Sequence, residues 1–142
     1  MLRTAIIGLN QFIQDNIIDL DNRIVIYKRG DTLDQSKPFY EVVFISSDQI
    51  NDVTCLRTNE TLVLVRATST EQYEAFKMAD DLVAILDGVS TIDRLDEDRT
   101  NQGIMRVKEI RREALPELFE TNLYSVGVFI TLRWSEPIDQ GD

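Results

Sequence analysis

Residues 123–134, LYSVGVFITLRW, alternate strictly on one side. Tyr124, Val126, Val128, Ile130, Leu132 and Trp134 are apolar, and the set between them is mixed: Leu123, Ser125, Gly127, Phe129, Thr131 and Arg133. A period of two predicts a strand whose even-numbered face enters a core. The odd-numbered face is neither clean core nor clean solvent. The strand is expected to span Leu118–Trp134, with 135–142 as a frayed tail.

Other segments change period. In residues 2–20 the apolar positions Leu2, Ile6, Leu9, Ile13, Ile17 and Leu20 recur every three or four residues, which predicts a helix. Arg3, Asn10, Gln14 and Asp15 fall mostly outside that stripe, and Ile7, Phe12 and Ile18 widen it, as if more than one side were covered. The β-branched and aromatic runs Arg23–Lys28, Phe39–Ser46 and Thr61–Thr68 predict strands, with a short one at Val53–Arg57. SSDQIND and TNE between them have turn composition, and RGDTLDQSKP that of a loop. A second helix is expected over Ser69–Leu86, striped by Ala75, Ala79, Leu82 and Leu86. Ser69 and Gln72 match a capping box, and Asp87-Gly88 supplies the left-handed stop. Residues 89–102 are charged and uneven and predict a loop with a turn of helix anchored by Ile92 and Leu95. Gly103–Glu113 alternates as a strand, interrupted after it by Ala114-Leu115-Pro116.

Helices and strands do not alternate regularly, which argues against a doubly wound parallel sheet. The expected fold is α+β: a four- to six-stranded sheet, mostly antiparallel or mixed, with two main helices packed on one face. The length of 142 residues and the absence of a linker fit a single domain over residues 1–142.

Charge and composition narrow the function. Fifteen basic and twenty-five acidic residues give a net charge of −10, which disfavours tight binding of nucleic-acid phosphates. No apolar run approaches the ~20 residues of a membrane span, the N-terminus does not resemble a signal peptide, and the one cysteine, Cys55, has no internal disulfide partner. A cytoplasmic setting, or an assembly built in cytoplasm, is expected. The chain has no histidine and no phosphate-loop, dinucleotide or nucleophile-elbow motif. The acidic run 93–98 (DRLDED) fails as an EF-hand loop, because Asn101 and Val107 stand where glycine and glutamate are required. It is expected to be a solvated loop, and the sequon at Asn59 has no role without secretion. No catalytic residue, cofactor or metal is expected. One basic stretch, GIMRVKEIRRE, puts Arg106, Lys108 and Arg112 on one strand face and Arg111 on the other by simple alternation. That stripe suits either a solvated face with local ion pairs, a subunit contact or a nucleic-acid contact.

The segment 62–88, LVLVRATSTEQYEAFKMADDLVAILDG, resembles the strand-to-helix segment of tailed-bacteriophage tail-terminator and minor capsid (tail-completion, neck) proteins. The matching residues are Arg66, Ala75, Ala79, Leu82, Leu86, Asp87 and Gly88, and a strand, Pro116 and a long closing strand ending in an aromatic follow in order. The resemblance implies a structural virion protein rather than an enzyme. Such a subunit forms a homo-oligomeric ring, usually a hexamer, on the tail tube, stops tube polymerisation and meets the head-tail connector. DNA passes through without tight binding, which an acidic lumen would suit. Assembly in the host cytoplasm, location in the virion and no membrane partner go with it. Candidate contact residues are Arg66, Arg106, Lys108, Arg112 and Phe129, with Asp93, Asp96 and Asp98 in the charged 89–102 loop. The competing expectations are a head-completion subunit of the same neck, a carboxylate-based metal-dependent enzyme, and a dimeric interaction module.

Overall fold

The structure, a computed structural model, describes residues 2–17, 24–26, 38–53, 56–114 and 124–137. In chain order its elements are α1 (Leu2–Asn16), β1 (Ile24–Ile26), β2 (Phe39–Val53), β3 (Leu56–Ser69), α2 (Gln72–Leu86), β4 (Thr91–Leu95), β5 (Asn101–Ala114) and β6 (Tyr124–Pro137). The strands form one six-stranded sheet in the order β1-β2-β3-β6-β5-β4. β1 runs parallel to β2, and all other neighbours are antiparallel. The fold is α+β, with both helices against one face of the sheet.

That face is set by the register. Tyr40, Ala67 and Val126 lie in one cross-strand row, Val42, Val65 and Val128 in the next, and Phe44, Val63, Ile130 and Ile110 in a third. Most of these join one core with Ala5, Leu9 and Ile13 of α1 and Ala75, Met78, Ala79, Leu82 and Leu86 of α2. The even-numbered residues of β6 lie under the helices, as their alternation predicts, and Val128, Ile130 and Leu132 are fully buried. Each contributes roughly 1.5–3 kcal/mol by leaving water. The small Ala75 and Ala79 let α2 approach the sheet. Tyr40 spans the same interface, and its hydroxyl donates to the Met78 carbonyl at 2.8 Å. Burial, with Asp81 and Glu74 nearby, raises the Tyr40 pKa and keeps the phenol neutral.

Helix α1 lies on β4 and also contacts β1 and α2. β1 and β4 are the two edges of the sheet, so α1 reaches both of them. Asn10, placed off the stripe by spacing, is buried, as are Thr4 and Gly8. Gly8 is where helix and strand come closest. An added methyl group there would collide with the Asp93 carbonyl oxygen and stand 3.1 Å from Arg94 Cα.

Several local expectations shift. The SSDQIND and TNE turns are strand: β2 and β3 pair from Phe39↔Thr68 to Val53↔Leu56, because cross-strand pairing outweighs turn composition. The capping box does not form. β3 runs through Ser69, the N-cap is Glu71 without a side-chain cap bond, and Ser69 Oγ accepts from the Glu71 N–H at 3.2 Å. The helix end is as expected, with Gly88 at φ 81°. The charged stretch after it holds β4 and a tight turn, closed by Arg99 N–H donating to the Asp96 carbonyl at 2.9 Å. β6 continues to Pro137, so residues 135–137 are strand rather than tail. Cys55, most of the 29–38 loop, and residues 18–20 and 118–123 of the predicted helix and closing strand lie outside the described residues.

Candidate subunit interface

No described helix packs on the second face of the sheet, where most of the sequence-derived candidate residues lie, yet Phe39, Glu41, Leu64, Thr68 and Ser125 of that face are buried. One cross-strand row is Val43, Leu64, Phe129 and Arg111. Leu64 is buried, Val43 and Phe129 are half-buried, and the Arg111 guanidinium lies over the Phe129 ring, 4.9 Å from its centroid. Such a cation–π contact covers one face of the ring and leaves an amphipathic surface. The neighbouring row is Glu41, Arg66, Gly127 and Glu113. Arg66 Nη1 donates to Glu41 Oε1 at 3.1 Å, and the glutamate is buried beneath it. Arg66 is thus tied to its own sheet. Beyond it, Thr68 and Ser125 share a hydroxyl–hydroxyl bond of 3.0 Å.

At the other end of this face lies a groove of about 370 Å³, lined by Thr58, Thr91, Ile104, Arg106, Arg133 and Ser135, with Trp134 behind. Arg106 and Arg133 are direct cross-strand partners, and Glu60 is the next residue in that row. Glu60 also receives Lys108 Nζ at 3.1 Å. Asp93, opposite Ile104, and Glu109, opposite Thr131, share this face with Glu60, so the region of the groove carries three cations and three carboxylates. Like charges directly opposite on antiparallel strands disfavour each other. Ile104, 58% exposed, forms an apolar wall.

The basic stripe is not arranged as alternation predicts. A β-bulge between Val107 and Glu109 adds one residue to β5 and reverses the phase of the strand. Arg106 and Lys108 stay on the face opposite the helices and are joined there by Arg111. Arg112 turns to the helix side and pairs with Asp80 of α2. Arg112 therefore does not share a face with Arg106 and Lys108, and Arg111 replaces it.

Of the acidic candidates, Asp93 is exposed on β4 opposite Ile104, on the face of the groove, while Asp96 and Asp98 belong to the turn at the far end of the β4–β5 hairpin. Asp96 Oδ1 accepts from the Glu97 N–H at 2.7 Å and Asp98 Oδ1 from the Thr100 N–H at 3.0 Å. Hydrogen bonds from Thr100, first from its side chain, hold the Asp98 carboxyl below the ordinary range. Glu97 pairs with Arg3 of α1 at 3.0 Å.

Arg94 was hidden in what composition suggests is a loop, and it is buried. Nη1 donates to Thr4 Oγ1 at 3.3 Å, Nη2 donates to the Gln102 carbonyl at 2.8 Å, and the guanidinium lies 5.7 Å from the centre of the Trp134 ring. Burial lowers its pKa, and the nearby Glu136 carboxylate opposes that. Glu136 Oε1 itself accepts from Trp134 Nε1 at 2.7 Å and from Asn59 Nδ2 at 3.1 Å. The network ties α1, β3, β4, β5 and β6 together, so the hairpin that carries the acidic turn is held rigidly against the sheet that carries the groove. The signal that could have revealed it is the in–out alternation of TIDRL, whose inward residues are Ile92 and Arg94. Gly103, at φ 116°, makes room, since an added methyl would lie 2.6 Å from Arg94 Nη2.

Among the described residues no three His, Cys, Asp or Glu side chains come together in a metal-binding arrangement, and no helix is long and apolar enough to cross a membrane. No protein-family model matches the chain. No curated protein matches it either.

Proposed function

We propose that the chain is a structural ring subunit of a tailed-phage neck, a tail terminator that caps the tail tube and joins it to the head connector. The observation that carries this reading is the sheet face opposite the helices. It combines a half-buried apolar row, an arginine stacked on Phe129 and a charged groove, while the acidic turn stands on a different part of the surface. Two different patches are what a head-to-tail contact needs, and repetition of such a contact closes a ring when the rotation between copies allows it. The resemblance of residues 62–88 to tail-terminator proteins supplies the setting. The overall acidity suits a ring through which DNA slides without being held.

The test is electron microscopy of the protein mixed with purified tail tubes and, separately, with emptied heads. The tail-terminator reading expects rings on tube ends and an arrest of tube growth. Rings on heads alone would assign the chain to head completion. Unchanged tubes and heads, with no rings at high protein concentration, would refute a neck role.

A further inference from the structure

We infer that the sheet is extended from copy to copy: residues 46–50 of β2 in one copy pair antiparallel with residues 109–113 of β5 in the next, and Ile45 of the first packs on Phe76 and Tyr73 of the second. The inference rests on the ring reading and gives it a specific joint.

Two stretches of the sheet edge are open among the described residues. β1 pairs with β2 at Tyr40, Glu41 and Val42, and the outer side of β2 from Val43 onward has no described strand beside it. β4 pairs with β5 from Asn101 to Arg106, and the Val107 N–H donates to the Ser90 carbonyl at 3.0 Å. Beyond Val107 the outer side of β5 is open in the same sense. Residues 45–47 are exposed, as are residues 108–113 apart from the half-buried Ile110. An open edge presents unpaired N–H and C=O groups and is a template for another strand. Bulges bound the regular part of each edge. In β2 they fall between Phe44 and Ser46 and between Ile50 and Val53, which leaves residues 46–50. In β5 the bulge between Val107 and Glu109 leaves residues 109–114. The two regular runs thus match in length.

Each edge suits the other edge of a second copy. β2, β3, β6 and β5 are successive antiparallel neighbours, so β5 runs opposite to β2. A copy set beside the first in the same orientation places its β2 antiparallel to β5, with both helix layers on one side. The openings lie at opposite ends of the sheet. The row Tyr40, Ala67, Val126 and Ala114 marks one end; β1 covers β2 there, and β4 covers β5 at the other. Offset copies therefore interlock. The second bulge of β2, where a strand bends, falls where the neighbour's β4 begins. Aligning the runs puts Ser46 opposite Glu113. Both lie on the face opposite the helices, as direct partners in one sheet must.

Exposed apolar surface selects the same pairing. Of the large apolar side chains exposed among the described residues, Ile45, Tyr73 and Phe76 stand at these edges, and none belongs to the hydrophobic core. Ile45 is the extra residue of the first β2 bulge. Phe76 is one helical turn before Asp80, which pairs with Arg112 of β5, and Tyr73 is three residues earlier on the same side. α2 follows Ser69, which pairs with Tyr124, so its first turns lie at the Ala114 end of β5, where the aligned runs bring Ile45. Self-pairing of either edge would cover only one of these two apolar partners. The contact joins unlike halves, so it is heterologous and repeats. It also makes the face that carries Phe129 continuous from copy to copy.

The test uses full-length variants at exposed positions. Ile45→Asp and Phe76→Asp are each expected to weaken association by ~10-fold or more. Association is read by sedimentation velocity or, if the wild type assembles only on tail tubes, by ring formation there. Mixed one to one, the two variants should form a heterodimer that does not extend, since one chain keeps Ile45 and the other keeps Phe76. Crosslinking reads the position. With Cys55 changed to serine, Ser46→Cys chains mixed with Glu113→Cys chains should be joined by a short bismaleimide, and neither chain should be joined to itself. Circular dichroism checks folding, and the cysteine pair reads the joint even if an aspartate variant does not fold. If the wild type assembles, the aspartate variants assemble equally well and the cysteines stay apart, the joint is elsewhere and the ring reading stands. If either cysteine chain is joined to itself as efficiently as to the other, the edge pairs isologously and the inference is overturned. If the wild type neither self-associates nor forms rings on tail tubes, both this joint and the ring reading fall.

Discussion

Replacing Gly8 with alanine tests the central packing feature of the fold. Glycine inside a helix costs about 1 kcal/mol relative to alanine, so helix propensity alone predicts that Gly8→Ala stabilises the protein. The structure predicts the opposite. The new methyl would collide with the Asp93 carbonyl oxygen and sit 3.1 Å from both Arg94 Cα and the Asp93 carbonyl carbon. All three obstacles are backbone, which cannot rotate away as a side-chain tip can, so α1 must lift from β4. Overpacking of this kind costs ~1–3 kcal/mol, and a rigid backbone obstacle belongs at or above the upper end. After the propensity gain, the net loss should be about 2 kcal/mol. With an unfolding entropy of ~2.1 cal/mol/K per residue, the 142-residue chain has about 300 cal/mol/K, and that loss lowers Tm by ~7 °C. Differential scanning calorimetry gives the value directly. A Tm raised by about 3 °C, the shift that propensity alone would produce, would refute the close approach of α1 to β4.

Other perturbations examine the remaining layers. Phe129→Asp should impair assembly while leaving the monomer folded, because the ring is only half-buried on the sheet face opposite the helices; a chain that no longer gives a cooperative melt would place Phe129 in the core. Arg112→Ala breaks an exposed ion pair with Asp80 on the helix side, so urea denaturation should show a loss below ~1 kcal/mol. Tyr40→Phe removes the bond to Met78 and should cost about 1 kcal/mol at neutral pH. The same residue gives a pH signature. Its pKa is raised in the folded state, so its contribution is intact below the ordinary tyrosine value of 10.0 and is lost as pH rises above it. Denaturant titrations from neutral pH to above that value should therefore show a steeper alkaline decline in the wild type than in Tyr40→Phe.

Much of this architecture was legible in local pattern. The alternation of Tyr124 to Trp134 determined which face of β6 meets the helices, because β6 pairs with β3 without a register shift and its side chains alternate throughout. The stripe Ala75, Ala79, Leu82 and Leu86 determined the inner side of α2 for the equivalent reason at helical period. Gly88 marked the helix end because glycine adopts a positive φ without strain. The mixed odd-numbered face of β6 was also visible, as was the concentration of charge near Arg106 and Asp96. Tertiary structure decided what those charges do. The extra residue at the β5 bulge reversed the phase of the strand, sending Arg112 to α2 and bringing Arg111 over Phe129, and no count of alternation contains that residue. Long-range pairing made strand of segments composed like turns. The packing of α1 on the sheet buried Asn10 and gave Arg94 partners on α1 and β5 that are separated in sequence by most of the chain. Local sequence sets the period of each element, but phase, neighbours and burial depend on which strands pair and in what register, and those are properties of the whole sheet.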